Sequence, residues 1–395
     1  MSIKGKAAII GIGEVPTGNI PGRTAVQMAL ESSLQAIKNA GIDKNEIDVI
    51  ITTGALYDRN IFEIEMSTGR MVEELGLFGK LRSNVEMFSG GSSSSSSLQT
   101  AIGLITTGQA NTVLCVHSDM LGTGISVENV KNLFNKAVNS SEWELPFGFG
   151  GISICDFMMN RYMYETGTTL EQLASVVVSN RKWAQLNPNA ARRDPITVED
   201  VMSSLKLSTV VNVGQMYGSF FDGASAFIVT SATNARKYSK PVYILGEASY
   251  VSHCLISMAP DPSRFTYAAA ARDAFSESGL TPQDMDFAQI YEAMSIIQLI
   301  AFEELGFAER GKGGEFFAAG HGAPGGKFPV TTNGGMLSQG HTGAGGGYAL
   351  LVEAVRQLKG EAGERQISKA KYGVYTGTGG AFSDTYVTVL GTKIP

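Results

Sequence analysis

Short apolar runs alternate along this chain with segments whose apolar residues recur every three to four positions. Ala7–Ile12 reads as a buried strand. From Thr24 to Ala40 the residues Val26, Ala29, Leu30, Leu34 and Ile37 fall on one helical face, and Gly41 closes it. Val49–Thr52 and Thr112–Val116 read as two more buried strands, with a helical pattern at Leu98, Ala101, Ile102 and Ile105 before the second. Strands alternating with helices predict an α/β fold, layered around a partly parallel sheet.

The rhythm changes between Asp119 and about Gln215. A loop is expected at Gly148–Gly151, with helices at Ile154–Tyr164 and Leu170–Leu186, so this stretch reads as a helical insertion over one face. Strand patterning returns at Ala226–Thr230 and Tyr243–Leu245, which makes Asn234–Pro241 the candidate linker. Beyond it come a helix at Tyr267–Ser278, a strand at Phe287–Tyr291, helices at Ser295–Leu305 and Tyr348–Leu358, and strands at Gly373–Thr376 and Thr385–Leu390. The element order of the first part recurs in the second. The pattern therefore predicts two halves, residues 1–235 with the insertion at about 119–215, and residues 241–395.

Composition narrows the function classes. With 43% hydrophobic and 17% charged residues the chain can bury a large core, which excludes disorder as its main state. A formal net charge of −6 without a Lys/Arg run argues against a nucleic-acid binder. Cys115, Cys155 and Cys254 stand far apart, with neither disulfide-framework nor zinc-site spacing. No 18-residue apolar stretch occurs, and Met1–Lys6 runs straight into a strand pattern. A cytoplasmic protein without signal peptide or membrane span is expected.

Four segments hold candidate chemistry. Gly90-Gly91 followed by Ser92 through Ser97 resembles a flexible serine linker in composition, yet it leads without a break into the Leu98–Ile105 helix. Glycines before a helix permit a tight turn, and the unpaired N–H groups there favour a carbonyl oxygen or an anion. A packed junction lining a site is the stronger reading. His341 alone of four histidines sits in a glycine-rich loop directly before a helix, where it either serves proton transfer or is bonded within its loop. Tyr291-Glu292-Ala293-Met294-Ser295 lies where a strand gives way to a helix, an edge at which α/β folds place ligands. The plainer alternative is a packed aromatic with a solvated Glu292. Gly377–Ala381, with Gly379 and Gly380, is either a bare turn or a source of backbone N–H groups for a substrate. Gly11-Ile12-Gly13 does not complete a dinucleotide-binding fingerprint.

Taken in order, further stretches carry a resemblance. They are Tyr164–Thr169 with Asn187–Ala190, Asp222–Ala226, Asn333-Gly334-Gly335 through Gly340-His341, and Gly360–Gln366. Across nearly its whole length the chain resembles the thiolase superfamily, in the branch of sterol-carrier-protein-type thiolases and lipid-transfer-protein relatives. That resemblance implies an α/β fold of duplicated βαβαβαββ halves in a five-layer αβαβα arrangement, usually a homodimer, acting on acyl-coenzyme A. In such a dimer the strand after the catalytic helix, here Thr112–Val116, is expected to pair across the two-fold axis. Coenzyme A would enter as part of the substrate, with no covalently bound cofactor. Relatives of this branch often pair with a small zinc-containing, oligonucleotide-binding-like subunit, and any zinc would belong to that partner.

The catalytic positions depart from the thiolase pattern. The match places Gly91 where the nucleophilic cysteine belongs, Ala293 where the branch has its second cysteine, and no cysteine in Gly379–Ser383. Cys115 falls in a following strand and reads as core. His341 matches the family histidine. Cysteine-less relatives that shorten steroid side chains by retro-aldol cleavage use tyrosines, and Tyr291 coincides with one of these. The implied reaction is retro-aldol cleavage of a β-hydroxyacyl-coenzyme A, with Tyr291 and His341 as proton-transfer residues. Gly91, Ser92, Ser93, Gly379 and Gly380 would form the oxyanion turns. Two alternatives stand beside it: an atypical β-ketoacyl-CoA thiolase using Ser92 or Ser93, and a non-catalytic subunit that binds coenzyme A esters.

Overall fold

The computed structural model describes residues 2–53, 67–208, 213–253 and 255–395, so Cys254 lies outside the described residues. Among the described residues nine strands form one mixed sheet: β1 (Ala7–Gly18), β2 (Val49–Thr53), β3 (Ser83–Met87), β4 (Thr112–Met120), β5 (Asp222–Ser231), β6 (Val242–Val251), β7 (Phe287–Gln289), β8 (Tyr372–Gly379) and β9 (Asp384–Gly391). Their order is β3-β2-β4-β5-β1-β6-β9-β8-β7. In the first part β2 runs parallel to β4, which is antiparallel to β5, which is antiparallel to β1. The second part repeats this with β7, β8, β9 and β6. The two parts join at the antiparallel pairs Ala8↔Tyr243 and Ile9↔Val242.

Helices complete the layers. The Ala25–Ala40 helix covers β1, β4 and β5, and the Tyr267–Ser278 helix covers β6 and β9. Between the half-sheets run two central helices, Ser93–Thr106 and Gly346–Lys359, which touch each other and strands of both parts. Alternate strand residues serve two cores. In β4, Val113 and Cys115 face the central helices while Leu114 and Val116 face the outer helix. The Ala25–Ala40 helix keeps its expected limits for local reasons. Thr24 accepts from the Gln27 N–H, the Gln27 side chain returns the bond, and Gly41 closes the helix at φ +70°.

Three expectations need correction. The strand expected at Thr112–Val116 continues to Met120, because antiparallel pairing with β5 runs on through Met120↔Asp222. The rhythm change read at Asp119 therefore falls inside a strand. This strand is also no dimer edge: β2 and β5 occupy its two sides. Among the described residues the sheet ends instead at β3 and β7. β3 escaped the sequence reading because Ser83-Asn84-Val85-Glu86-Met87 is a largely exposed edge without an apolar run. Finally, Gly151 opens the Gly151–Thr166 helix rather than ending a loop. Together with the helices Val127–Val138 and Leu170–Gln185, it fills the insertion. No helix among the described residues is long and apolar enough to cross a membrane.

Candidate active site

The serine run is part of the core. Gly90–Ser92 form a single 3₁₀ turn that passes directly into the first central helix, and Ser92 through Ser97 are all buried. Buried hydroxyls need partners, and tyrosines supply several: Ser94 Oγ and Tyr375 Oη lie 2.5 Å apart, and Tyr348 Oη donates to Ser97 Oγ at 2.9 Å. The serines' small size lets the second central helix close in. A Cβ on Gly347 would stand 2.3 Å from Ser94 Oγ.

Gly91 has no room for any side chain. A Cβ there would lie 2.3 Å from both Cζ and Oη of Tyr291, and 2.5 Å from the Thr378 carbonyl oxygen. The Tyr291 phenol thus occupies the space where the first side-chain atom of residue 91 would sit. Tyr291 reaches this place from the end of β7, where its N–H donates to Thr376 Oγ1 at 3.0 Å. Burial, with Glu292 beside it, raises its pKa, so the hydroxyl keeps its proton near neutral pH. Glu292 is fully buried rather than solvated. It accepts from Asn180 Nδ2 at 3.0 Å and from the Leu337 N–H at 3.2 Å, and so ties the tyrosine segment to the loop carrying His341.

His341 is held on both sides of its backbone: its N–H donates to the Ser219 carbonyl, and its own carbonyl accepts from Phe221. Phe220 and Phe134 flank its ring. Nδ1 accepts the Gly343 N–H at 3.1 Å, which fixes the neutral tautomer with the proton on Nε2. Burial lowers its pKa to about 4, with His117 adding to the shift. His341 is therefore a neutral N–H donor at pH 7. Its Nε2 lies 3.4 Å from Tyr291 Oη.

These groups share the wall of one cavity of about 350 Å³, which includes Gly91, Tyr291, His341, Gly379 and Gly380. Ser92 and Ser93 do not line it. Ser92 Oγ bonds to the Ser89 carbonyl and Asp384, Ser93 Oγ to the Gly90 carbonyl, and the Ser93 N–H also goes to Gly90. The Gly379 N–H is likewise taken, by Asp384 Oδ1. A second cavity of about 920 Å³ meets the first at Phe134, Phe220, Ala293 and His341, beneath the insertion helices. No described cysteine lines either cavity. Cys115 and Cys155 are buried, and burial raises both thiols, Cys155 to about 12.

Sequence reasoning missed Asp119, which lines the cavity, and His117, whose Nε2 is 2.8 Å from Asp119 Oδ2. The usable signal was strand parity. Val113, Cys115, His117 and Asp119 share one face once β4 extends past Val116. Among the described residues no group of three or more His, Cys, Asp or Glu side chains is placed to hold a metal ion.

Comparison with known proteins follows the same lines. The model of the "Thiolase C-terminal domain-like" family matches residues 248–392. An acetyl-CoA acetyltransferase of Methanothermobacter thermautotrophicus is 31% identical over 380 residues, covering 94% of this chain and 96% of that one. A 17-hydroxy-3-oxo-4-pregnene-20-carboxyl-CoA lyase of Mycobacterium tuberculosis is 29% identical over 379 residues, covering 91% and 92%. Among solved structures, the Ltp2-ChsH2(DUF35) aldolase superposes with a TM-score of 0.85 at 27% identity, covering 98% of both chains.

Proposed function

The chain belongs to the thiolase superfamily, and from that premise we propose that it cleaves a β-hydroxyacyl-coenzyme A by a retro-aldol reaction without a cysteine nucleophile. One observation carries the reading: the Tyr291 hydroxyl fills the place where a side chain on residue 91 would begin. Covalent acyl transfer from that position has no attacking atom, and Ser92 and Ser93 turn their hydroxyls away from the cavity. Relatives named as a coenzyme A lyase and as an aldolase support the same chemistry.

In this mechanism the Cα–Cβ bond breaks, its electron pair moves into the thioester, and an enolate oxygen must be held. The neutral His341, with its proton on Nε2, lines the cavity beside Tyr291, and the backbone of Gly380 and the turn at Gly91 line the same wall. Such donors are worth about 3–4 kcal/mol each in hydrolases. Tyr291, kept protonated by burial, supplies the proton that Cα takes up. Coenzyme A enters with the substrate, and the larger cavity beyond His341 offers room for the rest of it.

The assembly belongs to the same proposal. Division into halves 1–235 and 241–395 is supported by the repeated strand pairing. A homodimer would use β3, an end strand of the sheet among the described residues, which immediately precedes the Gly91 turn. The two-part name of the Ltp2-ChsH2 aldolase supports a small partner subunit, which would carry any zinc. A cytoplasmic setting suits the unpaired, buried Cys115 and Cys155.

Mass spectrometry after offering paired β-hydroxyacyl- and β-ketoacyl-CoA substrates tests the reading, run with and without the candidate small subunit. The expected products are a carbonyl compound and a shortened acyl-CoA from the hydroxy substrate. Thiolysis of the keto substrate by free coenzyme A would overturn it. Light scattering should give a dimer at micromolar concentration.

A further inference from the structure

A retro-aldol site needs a base for the β-hydroxyl proton, and neither expected proton-transfer residue is free to be one. His341 offers Nε2–H to the cavity while its Nδ1 is spent on Gly343, and Tyr291 holds its own proton. Among the described residues two carboxylates line the cavity. Asp384 has both oxygens engaged, Oδ1 by the Gly379 N–H and Oδ2 by the Ser92 hydroxyl. Asp119 differs. Its Oδ2 accepts from His117 Nε2 at 2.8 Å and from the Ala344 N–H at 3.3 Å, whereas its Oδ1, fully buried, has no partner.

A buried carboxylate oxygen without a donor is costly unless something reaches it during function. We propose that Asp119 is the general base of this site, anchored through Oδ2 by His117 and presenting Oδ1 to the substrate's β-hydroxyl group. This rests on the retro-aldol reading and completes its proton balance. Asp119 Oδ1 takes the hydroxyl proton, the β-oxygen becomes the carbonyl of the leaving fragment, and the Cα–Cβ pair forms the enolate. Tyr291 protonates Cα, and the proton on Asp119 returns the tyrosinate to phenol, so no net proton is gained or lost. Burial also raises the carboxyl above the usual range, against the pull of His117, and a more basic carboxylate suits the task. His117 is a positioning residue: it does not line the cavity.

The test uses the full chain, with its partner subunit if one is required, and the hydroxyacyl-CoA that the wild-type protein cleaves. Asp119→Asn should lower kcat by about 10²–10⁴ with KM changed less than about threefold. Asp119→Gly should regain at least tenfold activity when formate is added, because a small carboxylate can enter the vacated space. Near wild-type kcat in Asp119→Asn would overturn the assignment. So would inactive, folded Asp119→Gly that formate does not rescue. If circular dichroism shows Asp119→Asn unfolded, the formate experiment decides alone, and should Asp119→Gly unfold too, Asp119→Ser decides: a loss of about 10²–10⁴ in kcat supports the base, near wild-type kcat overturns it. Failure of the wild-type protein to cleave any hydroxyacyl-CoA would instead remove the retro-aldol reading itself.

Discussion

Two short turns open the two central helices, and each admits a ring from the other part of the chain. Gly90–Ser92 precedes the Ser93–Thr106 helix, and Gly91 makes room for Tyr291, which arrives from β7. Gly343–Gly345 precedes the Gly346–Lys359 helix, where a Cβ on Gly345 would stand 1.7 Å from Nδ1 of His117, which arrives from β4. The device is the same, yet the outcomes differ. Tyr291 forms part of the cavity wall, whereas His117 lies behind it and acts through Asp119. A duplicated frame thus supplies matched sockets, and the residue that fills each socket decides which one meets the substrate.

The sharpest way to break this comparison is to close the sockets. Gly345→Ala should cost about 1–3 kcal/mol through overpacking. It should also lower turnover by about 10²–10⁴ by displacing His117 and with it Asp119; thermal melting and steady-state kinetics read both. Gly91→Cys should fail to create thiolase activity, since its Cβ collides with the phenol, and should lose lyase turnover to a similar degree. Thiolysis by that variant would show that the tyrosine yields its place easily.

Removing only the polar atom should separate packing from chemistry. Tyr291→Phe should lower kcat by about 10²–10⁴ at nearly unchanged KM and melting temperature. His341→Ala should cost about 10²–10³ in kcat, the usual worth of one oxyanion donor, while His341→Gln, which keeps an N–H, should retain more. The same histidine has a pH signature. Its folded pKa of about 4 lies below the ordinary 6.5, so the unfolded chain takes up a proton first as pH falls. Stability should therefore decline between pH 6.5 and 4, by on the order of 3 kcal/mol for this group, and His341→Gln should flatten that slope in denaturant titrations.

The smallest effects belong to residues with the right chemistry in the wrong place. Ser92→Ala and Ser93→Ala should keep turnover within about threefold and cost roughly 1 kcal/mol each in lost hydrogen bonds. Cys115→Ala should likewise stay active. A tenfold loss in Ser92→Ala or Ser93→Ala would revive the serine-nucleophile alternative.

What could be read from the sequence was local. Thr24, Gln27 and Gly41 mark one helix because the capping groups lie within it, and the apolar runs of β1, β4 and β8 announce buried strands. Of the site residues that the sequence patterns single out, Gly91, Tyr291, His341, Gly379 and Gly380 line one cavity, and Ser92 and Ser93 do not. What stayed hidden was non-local. Asp119 follows polar His117 and Ser118, so only the pairing of β4 with β5 shows that the strand continues through it. The commitment of the Ser93 and Gly379 N–H groups depends on Gly90 and Asp384, which no spacing rule reveals. That the Tyr291 ring replaces the side chain of residue 91 depends on a meeting across two hundred positions.

The seam between β1 and β6 also governs how the protein comes into being on the ribosome. β1 leaves the exit tunnel before the other described strands, yet it lies in the middle of the sheet, where Ala7 pairs with Ser231 and Ala8 with Tyr243. At about 5–20 residues per second, roughly ten to forty-five seconds of translation pass before its first partner strand emerges. Throughout that interval β1 and the free side of β4 are unpaired edges, the kind that chaperones shield. Strands β8 and β9, made after the other seven described strands, bring Gly380 and Asp384 to the cavity. A nascent chain of this protein can therefore neither close its sheet early nor begin catalysis before β8 and β9 have been made.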